Sequence, residues 1–211
     1  MEEAGRWAIF VLQRPTEMKR STIILIAAVA LLALWSMNFY NGTIGLDEDV
    51  KKQWSNVENA YQLRADKTKN LVEIVKGAAD FERETLTQVV EARSKATSVN
   101  IDANDLSPEK IQAFQEAQSQ FSGALSRLLV TIERYPELKA TDAFRDFQAQ
   151  YEGMENRIGV ERRKYNQSAR EFNTRIKRFP GNFLAGWFSF EEKGYFEAEE
   201  GTDKAPDISF E

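Results

Sequence analysis

The 211-residue chain contains neither histidine nor cysteine. Without histidine there is no Ser-His-Asp triad, and without either residue there is no zinc site of the usual nitrogen and sulfur type, no thiolate nucleophile and no disulfide framework. A four-helix di-iron centre is disfavoured on the same ground, because it draws a Glu-x-x-His from each of two helices. Only carboxylate, hydroxyl, lysine, arginine or tyrosine chemistry is left, and no catalytic, cofactor-binding or metal-ligating residue is expected. Charge of one sign is also lacking: 28 basic residues are mixed among 33 acidic ones for a net charge of -5. That is a solvated surface laced with salt bridges rather than a nucleic-acid footprint.

Against these absences stands one long hydrophobic run, Ile23 to Trp35, with Lys19-Arg20 before it and strongly polar sequence after it. Extended to Tyr40 it would form a helix of roughly 27 Å, against a hydrocarbon core of about 30 Å. Residues 21–40 are therefore expected to span a membrane as a single transmembrane helix. The rival is a cleaved signal peptide, but Trp35-Ser36-Met37-Asn38-Phe39-Tyr40 offers no small-x-small cleavage site. Trp35, Phe39 and Tyr40 also suit the headgroup level. Arg14, Lys19 and Arg20 crowd the N-terminal side, whereas Asp47-Glu48-Asp49 precede Lys51 and Lys52 on the other. The expected placement is the inner membrane of a bacterium, N-terminus in the cytoplasm and the large part periplasmic or extracellular. Met18-Lys19-Arg20 also has the form of a translation start, so residues 1–17 of the short N-terminal segment 1–20 read either as translated or as a start-site artefact.

Glycine and proline are sparse from the run to Phe179, while Glu, Lys, Gln, Arg and Ala abound, the composition of long helices. Apolar stripes at helical spacing run through Leu46, Val50, Trp54, Val57 and Tyr61; through Leu71, Ile74, Ala78, Phe81, Val89 and Ala96; through Ile111, Phe114, Phe121, Leu125 and Ile132; and through Phe144, Phe147, Met154, Ile158, Tyr165 and Phe172. The fold class predicted is all-α: after the transmembrane helix, an antiparallel four-helix bundle over residues 41–179 with an aromatic-rich C-terminal tail. Its helices are expected at about 44–66, 70–98, 108–134 and 142–178. Ser107 and Pro108 open the third as N-cap and first helical residue, Tyr135-Pro136 closes it, and Thr141 or Asp142 caps the fourth. A turn at Asp66 to Asn70 makes the helices comparable in length. Asn41-Gly42-Thr43 reads as a turn and helix start, or as part of a long helix passing from the apolar run into the bundle.

Tyr40-Asn41-Gly42, Leu46-Asp47-Glu48, Trp54-Ser55-Asn56-Val57-Glu58-Asn59, Arg64-Ala65-Asp66 and Asn70-Leu71-Val72-Glu73 resemble the N-terminal signature of the LemA family. The likeness continues through Glu91-Ala92-Arg93, Glu155-Asn156-Arg157-Ile158, Arg162-Arg163, Asn173-Thr174-Arg175, Phe179-Pro180-Gly181-Asn182 and the tail to Phe210. Lys67-Thr68-Lys69 stands where that family usually has an apolar residue, Ile and Pro, so the proline that would enforce the turn is missing. The resemblance implies a bacterial single-pass membrane protein with a helical bundle and brings no catalytic residues with it. It also implies partners: the family is associated with membrane stress and proteolysis, including a neighbouring membrane metalloprotease, and a relative takes part in magnetosome formation.

Glu58, Arg64, Asp66, Arg93, Asn156, Arg157 and Arg162 fall in or beside the apolar stripes. They read as a structural polar network fixing helix register, or as a buried site for an anion or small ligand. The tail, residues 180–211, is expected to pack on the bundle; its aromatic stretch Phe179 to Phe196 either covers an open end or contacts a membrane or partner. Glu82, Glu84 and Glu91 read as ordinary surface glutamates. The function expected is a membrane-anchored scaffold or adaptor working through protein partners, self-association included. The alternatives are a ligand- or stress-responsive sensor and, more remotely, an enzyme using carboxylates alone.

Overall fold

A computed structural model describes residues 19–78 and 81–197. The expectations about residues 1–17 and Arg14, and about the tail past Glu197, fall outside the described residues. Among the described residues six helices follow one another: α1 Arg20–Lys76, α2 Arg83–Ser98, α3 Pro108–Ile132, α4 Pro136–Lys139, α5 Asp142–Lys177 and α6 Gly181–Trp187. No strand occurs among the described residues. The chain divides into two units, residues 1–40 and 41–211.

In the first unit the described part of α1 is apolar on every face. Ile24, Leu25, Val29, Leu31, Leu32 and Leu34 are all more than half exposed. A helix hydrophobic all round has no water-facing side, and lipid is the solvent that suits it. The Trp35 and Phe39 rings lie 6.2 Å apart near its end.

The second unit is a bundle whose directions can be read from cross-helix contacts. Trp54 of α1 meets Phe114 of α3 and Tyr165 of α5 at ring distances of 5.1 and 5.8 Å. Farther along α1, Leu71, Val72 and Val75 share a core with Leu125, Leu128 and Ile132 of α3 and with Phe144 and Phe147 of α5. So α3 runs with α1 and α5 runs against it. Arg134 and Glu82 pair at 2.9 Å while Gln118 reaches the Ala96 carbonyl, so α2 runs against α3. The order is up-down-up-down, with helices antiparallel to their sequence neighbours.

The expected turn at Asp66 to Asn70 is corrected: α1 continues unbroken to Lys76, and α2 begins at Arg83. Lys67-Thr68-Lys69 contains nothing that forbids a helix. Thr68 is buried and its hydroxyl donates to the Arg64 carbonyl at 2.8 Å, a bond that the helix itself supplies. Leu71, Val72 and Val75 then carry the buried stripe past the polar triplet. Gly77, with its low helix propensity, stands where the helix stops. The helices are consequently unequal: residues 41–76 of α1 cover roughly 54 Å, and the 16 residues of α2 about 24 Å. Asn41-Gly42-Thr43 lies within α1 and is not a turn.

The other helix starts are set mostly by backbone shape. Ser107 is extended ahead of Pro108, but its hydroxyl makes no capping bond to α3. Tyr135 leaves the helical region before Pro136, whose ring starts the single turn of α4. The Thr141 hydroxyl accepts from the Phe144 amide at 3.3 Å and so caps α5.

Candidate functional site

Two polar constructions hold the bundle. The first centres on Arg64, which α1 carries into the core at 1% exposure. Its Nη1 donates to Ser122 Oγ at 2.6 Å and to Glu155 Oε1 at 3.0 Å; Nη2 donates to Gln118 Oε1 at 2.8 Å and to its carbonyl at 3.3 Å. The guanidinium lies about 5 Å from the ring centres of Tyr61 and Phe121 (5.0 and 5.1 Å). Gln118 passes the connection to α2 by donating to the Ala96 carbonyl at 3.2 Å. One side chain thus ties together α1, α3 and α5 and, through an amide, α2. Arg64 can do this because its fork of donors is planar and always charged.

The cavity beside it, lined by Tyr61, Gln115, Ser122, Glu155 and Arg162, holds about 30 Å³. That admits a water or two, not an organic ligand, whose pockets run to about 300 Å³ and more. Burial pushes the neighbouring Tyr151 hydroxyl up to about 12, and the Glu155 charge adds to the shift.

The second construction is a strap, residues 188–197, that leaves α6 through Ser189 at φ 56° and runs back over the bundle. Three side-chain amides pair with its backbone in both directions. Asn173 donates to the Lys193 carbonyl at 2.8 Å and accepts from the Lys193 amide at 2.9 Å. Asn166 does the same with Phe196, at 2.7 and 2.9 Å, and Gln115 with Glu197, at 3.1 and 3.0 Å. The Tyr165 hydroxyl, whose pKa burial raises, donates to the Gly194 carbonyl at 3.1 Å. The Gly194 amide donates to the Leu106 carbonyl at 2.8 Å. A Cβ on Gly194 would lie 2.7 Å from the Pro108 Cα, so only glycine fits this approach.

Phe196 then enters the core, stacked on Trp54 at 6.2 Å and edge-on to Tyr165 at 5.4 Å. Lys193 Nζ meets Asp47 at 2.8 Å, and Lys51 meets the same carboxylate at 2.8 Å. Burial alone would raise the Asp47 carboxyl, but the hydrogen bonds and charges of Lys193 and Lys51 outweigh it and hold the group below its ordinary range. The strap covers the part of the bundle that α2, ending at Ser98, does not reach.

The seven residues expected to form one polar network are not brought together. Arg64 is the centre of one cluster. Arg93 Nε donates to the Ala65 carbonyl at 2.7 Å and its Nη2 lies 3.9 Å from Asp66, which also accepts from Gln62 at 3.0 Å. Arg162 belongs to the strap, donating to the Glu197 carbonyl at 2.6 Å with its guanidinium 5.1 Å from the Phe196 ring. Glu58 is half-buried near Trp54, and burial raises its carboxyl while Trp54 opposes the rise. Asn156 and Arg157 face solvent on α5.

Sequence reasoning missed Gln118, Ser122 and Glu155, and it missed Asn166 and Asn173. Gln118 and Ser122 are one turn apart on the edge of the α3 stripe, and Asn166 and Asn173 are seven apart beside Tyr165 and Phe172. Those spacings were available as a signal. Of the carboxylates singled out, Glu82 pairs with Arg134; among the described residues no three acidic side chains converge closely enough to hold a metal ion.

Among the described residues the fold is all-helical, and its one long apolar helix, near the N-terminus, marks the class as membrane-associated helical proteins. The chain belongs to the LemA family, whose model matches residues 53–210. It is similar to the magnetosome protein MamQ 2 of Paramagnetospirillum magneticum, 26% identical over 200 residues, covering 86% of this chain and 72% of the relative. The magnetosome protein MamQ of Magnetospirillum gryphiswaldense is 25% identical over 217 residues, covering 90% and 78%. Protein LemA of Metamycoplasma hominis is 30% identical over 169 residues, covering 77% and 74%.

Proposed function

We infer that the protein is a scaffold or adaptor, tethered to the bacterial inner membrane by its apolar helix, which presents the bundle to protein partners on the periplasmic or extracellular side. No catalytic step belongs to this reading. The observation that carries it is how the buried polar groups are used. Arg64, Gln118, Asn166 and Asn173 are all engaged in joining helices or seating the strap, and the space beside Arg64 is water-sized. Such a core supports a fixed outer surface rather than a ligand chamber.

An open groove of about 710 Å³ along α3 and the strap, with Gln112, Gln115, Glu116, Tyr195 and Glu197 on its walls, is one part of that surface. A membrane metalloprotease is the partner that the family resemblance suggests, and a second copy of the chain is another. Crosslinking in intact cells followed by mass spectrometry tests the reading, with added protease reporting the side. Reproducible crosslinks from the bundle to another membrane protein are expected. Crosslinks confined to the chain itself would remove the adaptor, and full protection of the bundle in osmotically opened cells would reverse the orientation.

A further inference from the structure

We propose that the outward face of α6 is a second membrane-contact element, which settles into the headgroup boundary of the same bilayer that holds the apolar helix. It rests on the membrane attachment of the chain and not on the adaptor reading. Phe179 stands just before α6, and Phe183 and Trp187 are four apart, so these two share one side of the helix. They are 77, 69 and 83% exposed, the three most exposed aromatic side chains among the described residues. The Phe179 and Phe183 rings meet edge-on at 6.0 Å, and Trp187 follows one helical turn after Phe183. The inward side of the same helix, Gly181 and Ala185, is buried against the bundle.

Of the other tail aromatics, Phe196 is 5% exposed, Phe190 packs edge-on to Phe172 at 6.1 Å, and Phe188 and Tyr195 are little more than a third exposed. The three exposed rings are therefore a distinct surface rather than surplus core. A contiguous exposed apolar patch marks an interaction site.

What favours lipid as the occupant is where α6 sits in the bundle. The Nη2 of Arg175 in the last turns of α5 is 3.1 Å from the place a Cβ on Gly42 would take. Gly42 lies in the first turn of the bundle, directly after the apolar segment. On the other side of α6, Lys193 pairs with Asp47, little more than a turn farther along α1. So α6 is at the end of the bundle where α1 enters it, beside residues 42–47. Trp is enriched at the lipid–water boundary, and Trp and Phe are typical of the apolar face of helices that lie in it.

Arg178 is exposed directly before α6, beside Lys177, which is paired with Glu192, and Glu191 is the other acidic neighbour. With Arg175 the basic side is slightly in excess, which suits anionic headgroups. A tethered face needs little intrinsic affinity, because attachment supplies a high effective concentration.

The absence of native cysteine makes the test direct. The full chain carrying Phe183→Cys or Trp187→Cys is spin-labelled and placed in vesicles of phosphatidylethanolamine and phosphatidylglycerol. Val130→Cys, at an exposed position of α3, serves as the reference. Labels at 183 and 187 are expected to collide readily with oxygen and poorly with a nickel chelate, as at the boundary of headgroups and acyl chains, while the label at 130 stays fully aqueous. Labels at 183 and 187 as aqueous as that at 130 overturn the proposal. Labels immobilised and shielded from both quenchers also overturn it, since that is the signature of a protein on the face. As a check that keeps aromatic side chains in place, brominated lipid should quench the wild-type emission more than that of Trp187→Phe; equal quenching counts against the proposal.

Discussion

Arg64 places a charge among rings and spends four hydrogen bonds on keeping it there. Such a group is costly to disturb from one side. Arg64→Met removes the charge but leaves Gln118, Ser122 and Glu155 facing an apolar side chain, and breaking a buried pair this way costs about 3 kcal/mol. Glu155 keeps some access to water, which moderates the loss. The denaturant midpoint should fall accordingly, while Arg157→Ala, on the solvent side of α5, should stay within about 0.5 kcal/mol of wild type. Equal midpoints for the two variants would mean that Arg64 does not tie the helices. Arg64 was legible in the sequence because it interrupts an apolar stripe. Its partners were not, because the rotation of α3 and α5 decides which of their many polar residues turn inward. Asn156 and Arg157 show the reverse error: they adjoin the α5 stripe but sit just outside it.

The strap is held at one end by an ion pair that titrates. Asp47 is depressed below the ordinary carboxylate value of about 3.9. A carboxyl whose folded pKa is lowered contributes stability above the unfolded pKa and loses it as pH falls through the folded one. Protection of the Lys193, Gly194 and Phe196 amides against hydrogen exchange should therefore be full above about pH 5 and decline below the ordinary carboxylate value. Lys193→Met should flatten that dependence, and an unchanged acid profile in this variant would sever the strap from Asp47. The strap was only half visible beforehand. Its aromatic content announced burial, but a segment seated by side-chain amides has no periodicity to read. The misplaced turn between α1 and α2 has a comparable cause. A polar triplet looks like a break until Leu71 and Val75 are seen to continue the stripe, whereas a single Gly77 is a quiet signal.

At the scale of the molecule, the stripes and the breaks at Ser107-Pro108 and Tyr135-Pro136 were enough to expect four helices packed antiparallel to their neighbours. They did not reveal that α2 is too short for its position, or that a non-helical segment completes the bundle. Ending the chain after Trp187 should then open one half of the bundle and spare the other. Removing Phe196 uncovers Trp54, Phe114 and Tyr165, each large side chain being worth about 1.5–3 kcal/mol when buried. Hydrogen exchange in α5 around Tyr165 should accelerate strongly, while the far half around Leu128, Ile132 and Phe144 keeps most of its protection. Uniform acceleration across both halves would show that the bundle unfolds as one unit and that the strap is no local closure.

Asn166, Asn173 and Gln115 grip the tail by its peptide groups, and a peptide group is the same at every residue but proline. The grip is therefore blind to most of the sequence it holds. Three letters are exempt: Lys193, whose ammonium meets Asp47, Gly194, which must clear Pro108, and Phe196, whose ring fills the gap beside Trp54. The spelling elsewhere in the strap is less constrained, while the lock itself is written in three carboxamides on the helices.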